Sequence, residues 1–158
     1  MKQEEIEQRV EKAKALFKKG YNCSQAVFAA CADIYDIDDQ VLALRLSASF
    51  GGGIGRMRMT CGAACGMFLL AGLETGSVKE GDDEGKKRNY AFVQSLAEKF
   101  KAENGSLNCS ELLGIAPKPQ EPTPEARTEE YYKKRPCVEM VASAVRIFLE
   151  NYELRIKN

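Results

Sequence analysis

Apolar residues in this chain recur at helical spacing from one end to the other, and no stretch alternates apolar and polar residues well enough to make a strand. A chain without strands can bury its apolar stripes only helix against helix, so the expected fold is all-α. Ile6, Val10, Ala13 and Phe17 share one helical face, and Gly20 follows as a C-terminal stop. The same spacing predicts helices from Cys23 to about Ile34, from about Asp39 to Ser49, and from about Asp83 to Lys101. A short helix is expected over Cys109 to Leu113, closed by Gly114, and a last amphipathic helix carries Val138, Val141, Ala144, Val145, Phe148 and Leu149. Ile115 to Thr123 reads as an extended loop, with Thr123-Pro124 capping a short charged helix after it. The expectation is a single domain over residues 1–158, built as a bundle of about five to seven helices.

From Cys61 to Leu73 the chain is apolar on every side, as a buried central helix requires. Gly62, Ala63, Ala64 and Gly66 would let neighbouring backbones come close. Gly51-Gly52-Gly53-Ile54-Gly55, just upstream, is too rich in glycine for a helix interior. No strand precedes that run and no Gly-Lys-Ser/Thr follows it, so it reads as a flexible turn rather than a phosphate loop.

Charge narrows the function. Lysine plus arginine and aspartate plus glutamate each number 23, which offers no reason to expect a nucleic-acid or membrane-surface partner. No window approaches a membrane span, and the charged start MKQEEIEQRVEKAK lacks the apolar centre of a secretory signal. A cytoplasmic address is expected, and there six cysteines point to metal binding, catalysis or redox sensing rather than to disulfide staples. The chain has no histidine, which removes Ser-His and Cys-His catalysis and Cys/His zinc sites.

Four of the six cysteines fall where helices begin. Asn22-Cys23-Ser24-Gln25 and Asn108-Cys109-Ser110-Glu111 each offer a capping asparagine and a Gln or Glu three residues on that can reach back. Thr60 can cap before Cys61, and Pro136 suits a first helical position, putting Cys137 second. Unpaired N–H groups at such positions favour an anion, so these thiols are expected to ionise more easily than usual. Arg56 and Arg58 stand ready to help Cys61, and Lys133, Lys134 and Arg135 to help Cys137. Cys31, inside an apolar helix, reads as core; Cys65, one turn after Cys61, can join a shared site. Tyr131 and Tyr132 can serve as substrate contacts, with packing as the expected role.

This layout resembles the C_GCAxxG_C_C family of redox-active proteins. The lone Cys23, the motif Cys61-Gly62-Ala63-Ala64-Cys65-Gly66, and the separated Cys109 and Cys137 carry the resemblance, together with the glycine run and the Asn-Cys-Ser starts. It extends from about Gly20 to Phe148. It implies redox chemistry at Cys23, Cys61, Cys109 and Cys137, through thiol–disulfide exchange or electron transfer with a redox partner of unknown identity. The same four cysteines, with Cys65 as a further candidate, form the ligand set if the protein instead holds a metal ion or an iron–sulfur cluster. A helical interaction module with packed cysteines is the third reading, and a homo-oligomer stays open. Both chemical readings require the four cysteines to meet in one pocket.

Overall fold

Most helices here start where the sequence supplies a side chain that can take up their free N–H groups. The computed structural model describes the backbone of residues 1–156 and the side chains of residues 1–152. In chain order its helices are α1 (Gln3–Lys18), α2 (Cys23–Cys31), α3 (Gln40–Ser47), α4 (Gly62–Thr75), α5 (Asp83–Asn104), α6 (Cys109–Leu113), α7 (Glu129–Lys134) and α8 (Cys137–Ile156). Single 3₁₀ turns follow α2 (Ala32–Tyr35) and α3 (Ala48–Phe50). Asn22 Oδ1 accepts the Gln25 N–H at 2.9 Å while Gln25 Oε1 accepts the Asn22 N–H at 3.0 Å, the reciprocal pair expected for α2. Asp39 caps α3 and Asp82 caps α5. Among the described residues the one sheet-like feature is an isolated antiparallel bridge, Thr60 to Asn108.

The core lies between α1, α2, α4 and α8, with α5 packed outside α4 and α8. The predicted stripe of α1 (Ile6, Val10, Ala13, Phe17) is wholly buried, as are Met67 and Leu70 of α4, Leu96 and Phe100 of α5, and Phe148 of α8. Each such side chain contributes about 1.5–3 kcal/mol by leaving water. A Cβ on Gly66 would stand 2.9 Å from both Ser24 O and Val27 Cβ, so a glycine is what lets α4 close on α2.

Several boundaries differ from expectation. Cys61 is the cap residue of α4 rather than its first helical residue, and Cys137 is the first residue of α8 rather than the second. Nothing helical follows Thr123-Pro124; the short charged helix α7 begins at Glu129, where Thr128 Oγ1 accepts the Tyr131 N–H at 3.2 Å. At α6, Asn108 caps as expected, but Glu111 does not reach back to it. Glu111 accepts a hydrogen bond from Ser106 Oγ, which in turn accepts the Asn108 N–H.

The glycine run is the least ordinary backbone in the molecule. Gly52, Gly53, Ile54, Gly55 and Arg56 all have positive φ, between 57° and 69°, and Arg58 follows at 58°. Glycine enters this left-handed region freely, but Ile54, Arg56 and Arg58 do so against their Cβ atoms, the β-branched Ile54 most of all. The turn is tied by main-chain bonds from Gly55 N to Ser49 O (2.9 Å) and from Met59 N to Gly53 O (2.9 Å). It is therefore a tightly bonded left-handed turn rather than a flexible connector, and strain of this kind gathers at functional sites.

Candidate functional site

The left-handed turn brings the cysteines together. The Gly52 N–H approaches the Cys23 sulfur. Gly53 leaves no room for a Cβ, which would lie 2.6 Å from Cys109 Cβ and 2.8 Å from Arg58 Cα. On the other side, a Cβ on Gly62 would run into Cys23 Sγ. The Thr60–Asn108 bridge fixes the two remaining strands of chain: Cys61 N donates to Leu107 O and Cys109 N to Met59 O, both at 2.7 Å. Cys137 enters from the start of α8. Cys23, Cys61, Cys109 and Cys137 all line one cavity of about 370 Å³.

All six cysteines are free thiols. At Cys23, Cys61 and Cys137 the electrostatics overturn the expectation of easy ionisation. Burial pushes the Cys23 thiol up despite the N–H groups of Gly52 and Ser24 that face it. Cys61 is raised well above the ordinary range, again chiefly by burial, with Cys23 and Cys109 adding like-charge repulsion and the Ala63 and Ala64 N–H groups acting against them. Cys137 is pushed up to about 11 by burial and by the same two neighbours, while Arg135 and Tyr131 pull it down. A helix N-terminus favours an anion by about 0.3–1 kcal/mol, whereas removing a charge from water costs several. Burial wins. The mutual repulsion shows in addition that Cys23 and Cys109 are near enough to act on every other cysteine of the cavity.

Cys109 stands apart in what it faces. Arg58 is 6 % exposed, and its Nη1 donates to Cys109 Sγ at 3.6 Å. Its other nitrogens, Nε and Nη2, both donate to Gln120 Oε1, at 2.9 and 2.6 Å. Gln120 belongs to the helix-free segment between α6 and α7, which forms the outer wall of the cavity together with Pro122, Pro124 and Glu125. Arg58, one of the two arginines expected to help Cys61, thus serves Cys109, and of the cations before Cys137 it is Arg135 that bears most on that sulfur.

Cys65 is buried beside this group and donates to Thr60 O at 3.9 Å, with its thiol pushed up to about 12 by burial. It does not line the cavity. Cys31 is fully buried in the core, also raised to about 12. Tyr132 packs edge-on against Phe17, as a packing residue should, but Tyr131 lines the cavity next to Cys137. Gln120 is the residue that sequence reasoning missed; Arg58 was assigned to Cys61 rather than Cys109, and Tyr131 chiefly to packing. Arg58 was visible only as a cation near Cys61, because its partner lies 51 residues away.

Four cysteines brought around one cavity match a known signature. Residues 21–151 match the family described as "Putative redox-active protein (C_GCAxxG_C_C)". The chain belongs to that family. No curated protein and no solved structure matches it. The four cysteines that carry the resemblance are the four that line the cavity, and Cys31 and Cys65 lie off it. No helix among the described residues is long and apolar enough to cross a membrane.

Proposed function

We propose that the protein exchanges electron pairs by thiol–disulfide chemistry at this cavity, with Cys109 as the sulfur that makes and breaks the bond to a partner. The observation that carries the reading is the buried Arg58 guanidinium against Cys109 Sγ. A sulfur that attacks or leaves a disulfide bears negative charge, and Arg58 is placed where that charge develops. Cys23, held on the same glycine turn, is the partner thiol of choice; Cys61 and Cys137 complete the set. One turn of the reaction converts two thiols to a disulfide and an external disulfide to two thiols, so two electrons and two protons are accounted for. A reducing compartment, the cytoplasm, is the proposed setting, because buried, mostly protonated thiols persist there as dithiols.

The donor set does not fit a bound metal ion or iron–sulfur cluster. Among the described residues no three His, Cys, Asp or Glu side chains are grouped to hold an ion. The test is peptide mapping after equilibration of anaerobically purified protein in a dithiol–disulfide buffer. A disulfide joining Cys109 to another cysteine of the cavity, with Cys31 still free, is expected. Oxidation that leaves Cys109 as a thiol would sink the reading, and stoichiometric zinc, iron or sulfide in the purified protein would restore the metal one.

A further inference from the structure

The cavity carries positive charge that nothing in the described structure cancels. Four arginines line it, Arg56, Arg58, Arg127 and Arg135, and only Arg135 has a carboxylate partner, Glu125. Arg56 donates from Nε to Glu121 O at 2.7 Å and from Nη2 to Gln120 Oε1 at 3.3 Å. Arg58 meets Gln120 and Cys109. Arg127 donates to the main-chain oxygens of Phe17 (2.8 Å) and Tyr21 (3.1 Å), and lies 4.1 Å above the Phe17 ring. Every acceptor in these three sets is neutral or a thiol. Arg58 is buried and Arg56 and Arg127 are partly so; buried charge is ordinarily paired, and charge left unpaired beside a cavity favours an anion entering it. This is a local asymmetry in a chain whose net charge is zero.

Size suits a small visitor. About 370 Å³ sits near the lower end of the roughly 300–1,000 Å³ of small-molecule sites. Phe17, Leu112, Leu113 and Met140 give the rest of the wall an apolar character. We infer that the cavity takes a small organic anion, and that the oxidant the protein reduces is the disulfide of a carboxylate-bearing, low-molecular-mass thiol. The inference rests on the thiol–disulfide reading above. Cys109 attacks one sulfur of the bound disulfide, its S–S bond breaks, and the first thiolate leaves and takes up a proton. Cys23 then gives up its proton, attacks the Cys109 sulfur of the mixed disulfide and expels the second thiolate, which takes up a proton in turn. The bound disulfide gains two electrons and the Cys23–Cys109 pair loses two. The arginines hold the carboxylates of the incoming disulfide and then of the half left in the mixed disulfide, so charge on the substrate sets the rate of capture.

A matched set of disulfides tests this. Dithiodipropionate, bis(hydroxyethyl) disulfide and cystamine have similar length and carry negative, no and positive charge. Their rates with the reduced protein, each divided by its rate with free mercaptoethanol, should fall in that order, with on the order of tenfold between the ends at low salt. Added salt and Arg56→Gln should both narrow the spread. Suberate, a dicarboxylate of the same length without sulfur, should slow alkylation of Cys109 in the unaltered protein, and hexamethylenediamine should not. A flat or reversed order, or protection by the diamine, overturns the anion inference while Cys109 exchange with any of the three leaves the thiol reading standing. Exchange at Cys109 with none of the three overturns both.

Discussion

Two buried cysteines in this molecule each have an arginine nearby, and the two regions treat them in opposite ways. Cys31 ends α2 in the apolar core, where Arg9 comes near but is locked to Asp33 by two hydrogen bonds of 2.7 and 3.0 Å. The Arg9 charge is spent on a carboxylate, and burial still lifts the Cys31 thiol to about 12. Cys109 lines the cavity, and its arginine, Arg58, holds only a neutral amide and the sulfur itself. Proximity to a guanidinium therefore says little until its counter-ion is known. The core removes charge from Cys31; the cavity leaves one positive charge directed at Cys109.

The sharpest way to break this contrast is to fill the turn that holds the cavity. Gly53→Ala should cost more than about 3 kcal/mol, since alanine at φ 69° is disfavoured and its Cβ meets Cys109 and the backbone of Arg58 and Met59. Gly72→Ala, at an exposed α4 position with open space around it, should instead gain about 0.5–1 kcal/mol. Urea titration of both variants checks the pair; a Gly53→Ala loss no larger than that of an ordinary surface change would remove the close approach from the account.

Alkali probes the core side. Cys31 has a folded value of about 12 against an ordinary 9.0, so the folded state keeps its proton longer than the unfolded one. Its contribution to stability is complete below about pH 9 and is lost as pH rises toward 12, by roughly 1 kcal/mol per pH unit. Cys31→Ala should start less stable at neutral pH and lose less per pH unit above 9. Equal slopes for the two proteins would show that Cys31 is not sealed from water.

A smaller effect is expected at Arg58. Replacing it with methionine removes a buried, uncompensated charge, so stability should hold or rise, while iodoacetamide should alkylate Cys109 about tenfold more slowly. Unchanged Cys109 labelling in a folded Arg58→Met protein would dissolve the contrast with Cys31. The least effect belongs to Lys133→Gln. That residue is exposed on α7 and is not among the main groups that shift Cys137, so Cys137 labelling should change by less than about twofold.

Much of the fold was legible because its determinants are local. The stripe Ile6, Val10, Ala13 and Phe17 is one helix face whatever surrounds it, and Asn22 finds Gln25 within a single turn of chain. The all-α class, the starts of α2 and α6 and the four cysteines of the site follow from such short-range patterns, and so does the family. The glycine run was read as flexible because spacing reveals that glycines are needed but not which hand the turn takes; the positive φ of Ile54 and Arg56 depends on the contacts that hold them. The sign of the thiol shifts was misread for a related reason. A cap acts through two or three adjacent N–H groups, but desolvation sums over every atom packed around the sulfur, and most of those belong to other helices. Only the tertiary structure could set Arg58 against Cys109 across 51 residues, with Gln120 rather than a carboxylate as its companion, because a charge finds its partner in space and not along the chain.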